Sequence, residues 1–147
     1  MKRIMIEADK CDGCKNCSVA CMQSHAEGST FYNIDLTDPL LESRNTILLD
    51  SGKKNKPLFC RHCDKPECVS ACMSGAMTKD PVSGYVRYDE NRCGQCFMCV
   101  MSCPYGVLKR DRASRSYVVK CDFCLEKDEE PNCAKMCPTK AIYVKEV

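Results

Sequence analysis

The sequence predicts an α+β fold made of two interlocked small modules, each assembled from short strands, short helices and cysteine-bearing loops. Three observations predict it. Sixteen of the 147 residues are cysteine, about 11%, a level that marks a disulfide scaffold or a metal protein. Leu, Ile, Val and Phe supply 27 residues, about 18%, too few for a chain that builds its own apolar core. The formal net charge is only +2, whereas a disordered chain pairs low apolar content with high net charge. Something other than aliphatic packing therefore holds this chain together, and the cysteines are the available supply.

The cysteines fall into four groups with none left over. Group one is Cys11, Cys14, Cys17 and Cys21, spaced C-x2-C-x2-C-x3-C. Group three, Cys93, Cys96, Cys99 and Cys103, repeats that spacing. Group two is Cys60, Cys63, Cys68 and Cys72, and group four is Cys121, Cys124, Cys133 and Cys137; both keep the outer spacings and lengthen the middle gap. The strict spacing is the bacterial ferredoxin run. Three thiolates two residues apart on a loop can converge on three irons of one cubane. The fourth cysteine is expected to begin a helical turn, to point away, and to ligate the neighbouring cluster, as is known for this run. Runs therefore come in pairs, and four runs imply four [4Fe–4S] clusters. Tetrahedral zinc is the competing reading. Groups two and four could be forced into its paired spacing, but three cysteines at x2 intervals suit a cube better than a single tetrahedral ion.

The elements follow in order. Arg3-Ile4-Met5-Ile6 reads as a strand entering group one. After Cys21 no proline follows, and 35 residues, Met22 to Lys56, intervene before Pro57. This stretch holds a strand at Thr46-Ile47-Leu48-Leu49 and a basic turn, Gly52-Lys53-Lys54-Asn55-Lys56. It either covers the clusters or docks a partner. Beyond group two, a strand near Ala76–Lys79 meets one near Tyr85–Tyr88 across the turn Asp80-Pro81-Val82-Ser83-Gly84. Beyond group three, Cys103-Pro104-Tyr105-Gly106-Val107-Leu108 exits into another strand, and Ser116-Tyr117-Val118-Val119 returns. Group four exits the same way through Cys137-Pro138-Thr139-Lys140-Ala141-Ile142. Cys72-Met73-Ser74-Gly75-Ala76-Met77 is a weaker copy without the proline.

These motifs resemble the four-cluster electron-transfer subunits of anaerobic redox complexes, the family of the iron–sulfur subunits of molybdopterin oxidoreductases and formate-linked hydrogenases, and of the small iron–sulfur protein of CO dehydrogenase. Cys60-Arg61-His62-Cys63, with Pro66, Cys68 and Cys72, is similar to the second group of that family. Cys103-Pro104-Tyr105-Gly106 and Cys137-Pro138-Thr139 with Ala141 resemble its third and fourth. The departures are Met22 and Met73, where proline is usual, and a shortened group four. Spacing requires only that runs pair; the resemblance implies which. It places Cys11, Cys14, Cys17 and Cys137 on one cluster, and Cys121, Cys124, Cys133 and Cys21 on its neighbour. Cys60, Cys63, Cys68 and Cys103 take a third, and Cys93, Cys96, Cys99 and Cys72 the fourth. Some relatives lose a cysteine in group three; with Cys96 present, four cubanes are implied. Residues 1–30 with 111–147 would form an outer module, 57–110 an inner module, and 31–56 an insertion or cover loop. The implied function is an electron-transfer subunit, not itself an enzyme. It would relay low-potential electrons between a catalytic oxidoreductase and a second electron carrier or flavin oxidoreductase. The short form with a Met-Lys-Arg-Ile start looks most like the CO dehydrogenase type; formate dehydrogenase, hydrogenase and aldehyde oxidoreductase are the alternatives.

Charge and the remaining residues agree with that expectation. An oxidised cubane with four thiolates carries about −2, so four would bring the loaded chain to about −6. The lysines and arginines then read as local compensation rather than a nucleic-acid footprint, and the basic stretch Lys109, Arg110, Arg112, Arg115 and Lys120 as a solvated hairpin face beside an anionic cluster in preference to a docking patch. Gly13, Gly94 and their neighbours are expected to donate N–H groups to sulfur. Met22, Met73, Met98, Met101 and Met136 read as soft packing around the clusters. His62 is expected beside a cluster or at the surface, and His25 not as a ligand. Lys127-Asp128-Glu129-Glu130 reads as a solvated loop. No phosphate loop, flavin fingerprint or nucleophile–base pair is present. No run approaches the ~20 apolar residues of a membrane span, and no export signal is seen at the start, so a cytoplasmic location with reduced thiols is expected. A zinc-stapled binding module and a free-standing polyferredoxin are the rival readings.

Overall fold

The computed structural model describes residues 1–52, 54–126 and 130–147. Lys53 of the basic turn and Lys127, Asp128 and Glu129 of the acidic run lie outside the described residues. Eight short strands occur among the described residues: β1 (Lys2–Ile6), β2 (Thr46–Leu48), β3 (Lys56–Leu58), β4 (Met77–Lys79), β5 (Val86–Tyr88), β6 (Lys109–Arg110), β7 (Val118–Val119) and β8 (Ile142–Glu146). Four helices are interspersed: α1 (Asn16–His25), α2 (Glu67–Ser70), α3 (Met98–Ser102) and α4 (Asn132–Lys135).

The strands pair as antiparallel two-stranded sheets, β1–β8, β2–β3, β4–β5 and β6–β7. Three of them are local hairpins or near-hairpins. β1–β8 joins the two ends of the chain, with Ile4 opposite Val144 and Ile6 opposite Ile142. Two-stranded ribbons are marginal alone, so each must rest on something else.

Each helix starts at or just before the third cysteine of its group, and this corrects the expectation that the fourth cysteine begins it. Cys17, Cys68, Cys99 and Cys133 lie in the first turns of α1, α2, α3 and α4. The x3 spacing is an i, i+4 step, one turn of helix. The fourth cysteine thus sits a turn further on: inside α1 for Cys21, and just past the helix end for Cys72, Cys103 and Cys137.

How the helix is entered depends on the middle gap. In groups two and four the longer gap leaves room for a proline, and Pro66 and Pro131 immediately precede α2 and α4. In groups one and three only two residues separate the second and third cysteines. There the chain reverses on one left-handed residue, Lys15 (φ 61°) before α1 and Phe97 (φ 56°) before α3. Such a conformation costs a side-chain-bearing residue roughly 1–2 kcal/mol, so it persists only where its surroundings demand it.

The apolar interior is divided. One cluster joins Ile4, Ile47, Phe59, Tyr85, Phe123, Ala141 and Ile142 with Cys17, Cys133 and Cys137. The other joins Met77, Val86, Val107, Leu108 and Val118 with Cys60 and Cys99. A trio of rings links the groups: Tyr85 lies 4.8 Å from Phe123, and His62 meets Tyr85 edge-on at 5.2 Å and Phe123 at 6.1 Å. Ile142, 2% exposed, ties β8 to β1 and to the cysteines of the first cluster. Ile142→Ala is expected to cost about 2–5 kcal/mol, read as a lower urea midpoint for loss of near-ultraviolet circular dichroism under anaerobic conditions; an unchanged midpoint would contradict this packing.

Candidate iron–sulfur sites

The helical step separates the fourth thiol of each group from the first three. One cavity is lined by Cys11, Cys14, Cys17 and Cys137. A second is lined by Cys21, Cys121, Cys124 and Cys133. In the other half, Cys63 and Cys68 lie within electrostatic reach of Cys60 and Cys103. Cys99 lies within reach of Cys72, Cys93 and Cys96. All sixteen thiols are free of disulfides. We refer to these sets as the first, second, third and fourth sites in that order.

Burial and mutual repulsion set the chemistry of these thiols. Burial pushes Cys17 up to about 11, with Cys137 and Cys14 adding to the rise. Burial likewise takes Cys68 to about 11, against the pull of Lys120 and with the push of Cys60, Cys103 and Cys63. Cys121 and Cys133 are driven well above the ordinary thiol range, by burial first and neighbouring sulfurs next. Sulfurs gathered so closely cannot all ionise unless a cation joins them. A polynuclear iron centre held by four thiolates satisfies that requirement, and the donor set is all sulfur.

Two fourth cysteines behave differently, and for one reason. For Cys72 burial acts upward, but the N–H groups of Met77, Ala76 and Ser74 and the Ser74 hydroxyl outweigh it, and the net shift is down. For Cys137 burial is outweighed in the same way by the N–H groups of Ile142, Ala141 and Thr139 and the Thr139 hydroxyl. The repeated exit sequences therefore curl their backbone around the sulfur that precedes them. This nest of N–H groups suits an anion. Other N–H donors to sulfur are Gln95 to Cys93 (3.4 Å), Phe123 to Cys121 (3.4 Å) and Arg44 to Cys21 (3.2 Å). Gln95 is the neighbour of Gly94, so the expectation of a donor beside that glycine is met. Gly13 serves the turn itself: at φ 78° a Cβ there would lie 2.7 Å from a Leu49 methyl.

The stretch between groups one and two closes over the first and second sites. The Asn55 amide donates to Cys11 O at 3.1 Å. Asn45, 3% exposed, donates to Cys17 O at 3.1 Å and accepts from the Ser18 hydroxyl at 2.7 Å. Lys109 Nζ donates to Ser43 O at 2.7 Å and Asn45 O at 3.2 Å, fixing the backbone that carries the Arg44 N–H.

Several side chains depart from expectation. Lys120 is buried, not solvated, and Arg110 stacks 4.6 Å over Phe97. β7 explains Lys120: the alternation through Val118 and Val119 turns residue 120 to the same side as buried Val118, a signal available in the sequence. Met73, Met98, Met101 and Met136 are exposed rather than packed. His62 is buried, accepting from the Val86 N–H at Nδ1 (3.0 Å). His25 has both nitrogens occupied, Nδ1 on Cys21 O at 2.7 Å and Nε2 on Asp122 at 3.1 Å. Burial would lower its basicity, but Asp122 and Cys21 raise it to about 9. Nothing in the sequence announced Asn45 or Arg44, whose roles depend on distant partners.

Among the described residues, no helix is long and apolar enough to cross a membrane. Comparison with known proteins agrees with this chemistry. Residues 53–147 match the 4Fe-4S dicluster domain family. The electron transport protein HydN of Escherichia coli (strain K12) is 31% identical over 95% of this chain and 85% of its own length. The NADH-dependent phenylglyoxylate dehydrogenase subunit beta of Aromatoleum evansii is 34% identical over 95% of this chain, which spans 29% of that longer subunit. A chain of the active site complex BamBC of benzoyl coenzyme A reductase, with benzoyl-CoA, superposes with a TM-score of 0.56 at 29% identity, covering 99% of this chain and 79% of that one. With the family matched over its last three groups of sulfurs, and a relative named for electron transport aligned along almost all of it, the chain belongs to the ferredoxin-type 4Fe-4S dicluster domain family.

Proposed function

We propose that this chain is the electron-transfer subunit of an oxidoreductase complex and carries four [4Fe–4S] clusters, one at each site. The ligands are Cys11, Cys14, Cys17 and Cys137 at the first; Cys121, Cys124, Cys133 and Cys21 at the second; Cys60, Cys63, Cys68 and Cys103 at the third; and Cys93, Cys96, Cys99 and Cys72 at the fourth. The observation that carries the reading is the exchange of fourth cysteines, seen most directly where Cys137 lines the cavity of Cys11, Cys14 and Cys17. Two interlocked modules, residues 1–30 with 111–147 and residues 57–110, follow from that exchange. Bound cubanes supply one-electron chemistry.

The chain's own residues arrange a line of sites. Cys17 of the first site acts on Cys133 of the second. Cys60 of the third acts on Cys121 of the second. Helix α2 carries Cys68 of the third site, and Cys72 of the fourth follows just past its end at Ser70. The order is therefore first, second, third, fourth. The two exposed cysteines, Cys14 and Cys96, belong to the two ends of that line, which is where electrons would enter and leave. One end serves a catalytic oxidoreductase, the other a second electron carrier or flavin oxidoreductase. CO dehydrogenase is the catalytic partner favoured by the sequence resemblance, with formate dehydrogenase, hydrogenase and aldehyde oxidoreductase as alternatives, in the cytoplasm.

Anaerobically purified protein is expected to be brown and to contain about sixteen irons and sixteen acid-labile sulfides per chain. Zinc without sulfide would replace this reading with that of a stapled binding module, and co-purification from the native cell separates a complex subunit from a free-standing carrier. Cys137→Ser is expected to disturb the cluster of Cys11, Cys14 and Cys17 and to spare that of Cys121, Cys124 and Cys133, judged by electron paramagnetic resonance of the loaded protein. Damage confined to the group-four cluster would refute the exchange.

A further inference from the structure

Lys120 is 5% exposed, and its ammonium is held by two carbonyls alone: Val86 O at 2.6 Å and Cys121 O at 2.8 Å. Among the described residues no carboxylate lies within ion-pair distance of it. A buried cation without an anion is costly, and native proteins pair such charges. The acids nearest in the chain do not fill the role: Asp122 is taken by Arg44 at 2.5 Å and by His25. Val86, whose carbonyl holds the ammonium, belongs to the apolar cluster that contains Cys60, and Cys68 and Cys121 pack against that same cluster. The ammonium therefore sits among sulfurs of the second and third sites, the two central members of the line. Lys120 thus stands at the one place where the line passes from one half of the molecule to the other.

We propose that Lys120 is the shared counter-ion of the two central clusters and raises the reduction potentials of both. This rests on the four-cluster reading above. A cubane with four thiolates carries about −2 when oxidised and gains a further negative charge on reduction. A fixed positive charge in a water-poor setting favours the reduced form. Lys120 acts as a charge and a positioning residue, not as a ligand; its carbonyl contacts hold it in place.

The test compares Lys120→Gln, which keeps a hydrogen-bond donor but loses the charge, with Lys120→Arg, which keeps the charge. Both are loaded in the full chain, and midpoint potentials are followed by anaerobic redox titration with electron paramagnetic resonance. The Gln variant is expected to retain its iron and to show two of four midpoints shifted downward, the other two unmoved; the Arg variant is expected to follow the parent. Should the Gln variant load poorly, the inference requires that the loss be confined to the second and third sites, about half the iron, and that Arg restore it. Four unmoved midpoints, four that move together, iron loss from all sites, or iron loss shared by the Arg variant would each overturn the inference. A parent protein without iron–sulfur clusters would sink the electron-transfer reading itself, whereas a fully loaded parent with an unresponsive Lys120→Gln variant would sink this inference alone.

Discussion

The four-residue step between the third and fourth cysteine of each group governs this architecture. One helical turn carries the fourth sulfur about 6 Å along the axis, to the other end of a short helix and away from its companions. In two of the cavities a fourth cysteine from a distant group joins three from another, Cys137 with Cys11, Cys14 and Cys17, and Cys21 with Cys121, Cys124 and Cys133. Under the four-cluster proposal, the helices, their entry residues and the ribbons at their exits all serve that delivery. The left-handed Lys15 and Phe97 and the proline-led starts of α2 and α4 are two ways of meeting the same requirement with different gap lengths.

Sulfur also stands in for the aliphatic side chains the sequence lacks. Cysteines belong to both apolar clusters, and the strands too short to be stable alone rest against them. Burial and neighbouring sulfurs hold such thiols in the neutral form when no metal is present, so ligation to iron would have to displace their protons. The composition does not reveal that cations such as Lys109 and Lys120 are turned onto backbone carbonyls rather than out to solvent.

Much of this was legible beforehand because spacing is a geometric quantity. The β4–β5 hairpin around Asp80–Gly84 and the strands at 3–6, 46–48 and 118–119 follow from alternation and turn residues, and appear where the sequence puts them. The start of each helix was misread by one turn, since x3 spacing fixes the separation of two cysteines and not which of them leads. The burial of Lys120 was open to reading from the alternation through β7, whereas that of His62 escaped because it depends on the distant partners Val86, Tyr85 and Phe123. Asn45 lies in a stretch with no repeat to compare it with. The methionines beside the cysteines were assigned to packing by proximity in sequence, but short helices leave one face open, and Met73, Met98 and Met101 occupy it.

The pairing of β1 with β8, Lys2 opposite Glu146, bears on how the molecule is made. The two halves close over very different lengths of chain. The sulfurs from Cys60 to Cys103 are all synthesised within one short interval, and their contacts are comparatively local. The cavity begun by Cys11, Cys14 and Cys17 waits for Cys137, the last of the sixteen cysteines in chain order. Long-range closure is the slow part of folding. The thiols of group one therefore emerge first and are enclosed last, and in the interval they are open to oxygen and stray metal. An anaerobic cell, or a chaperone that shields nascent thiols, would remove that hazard.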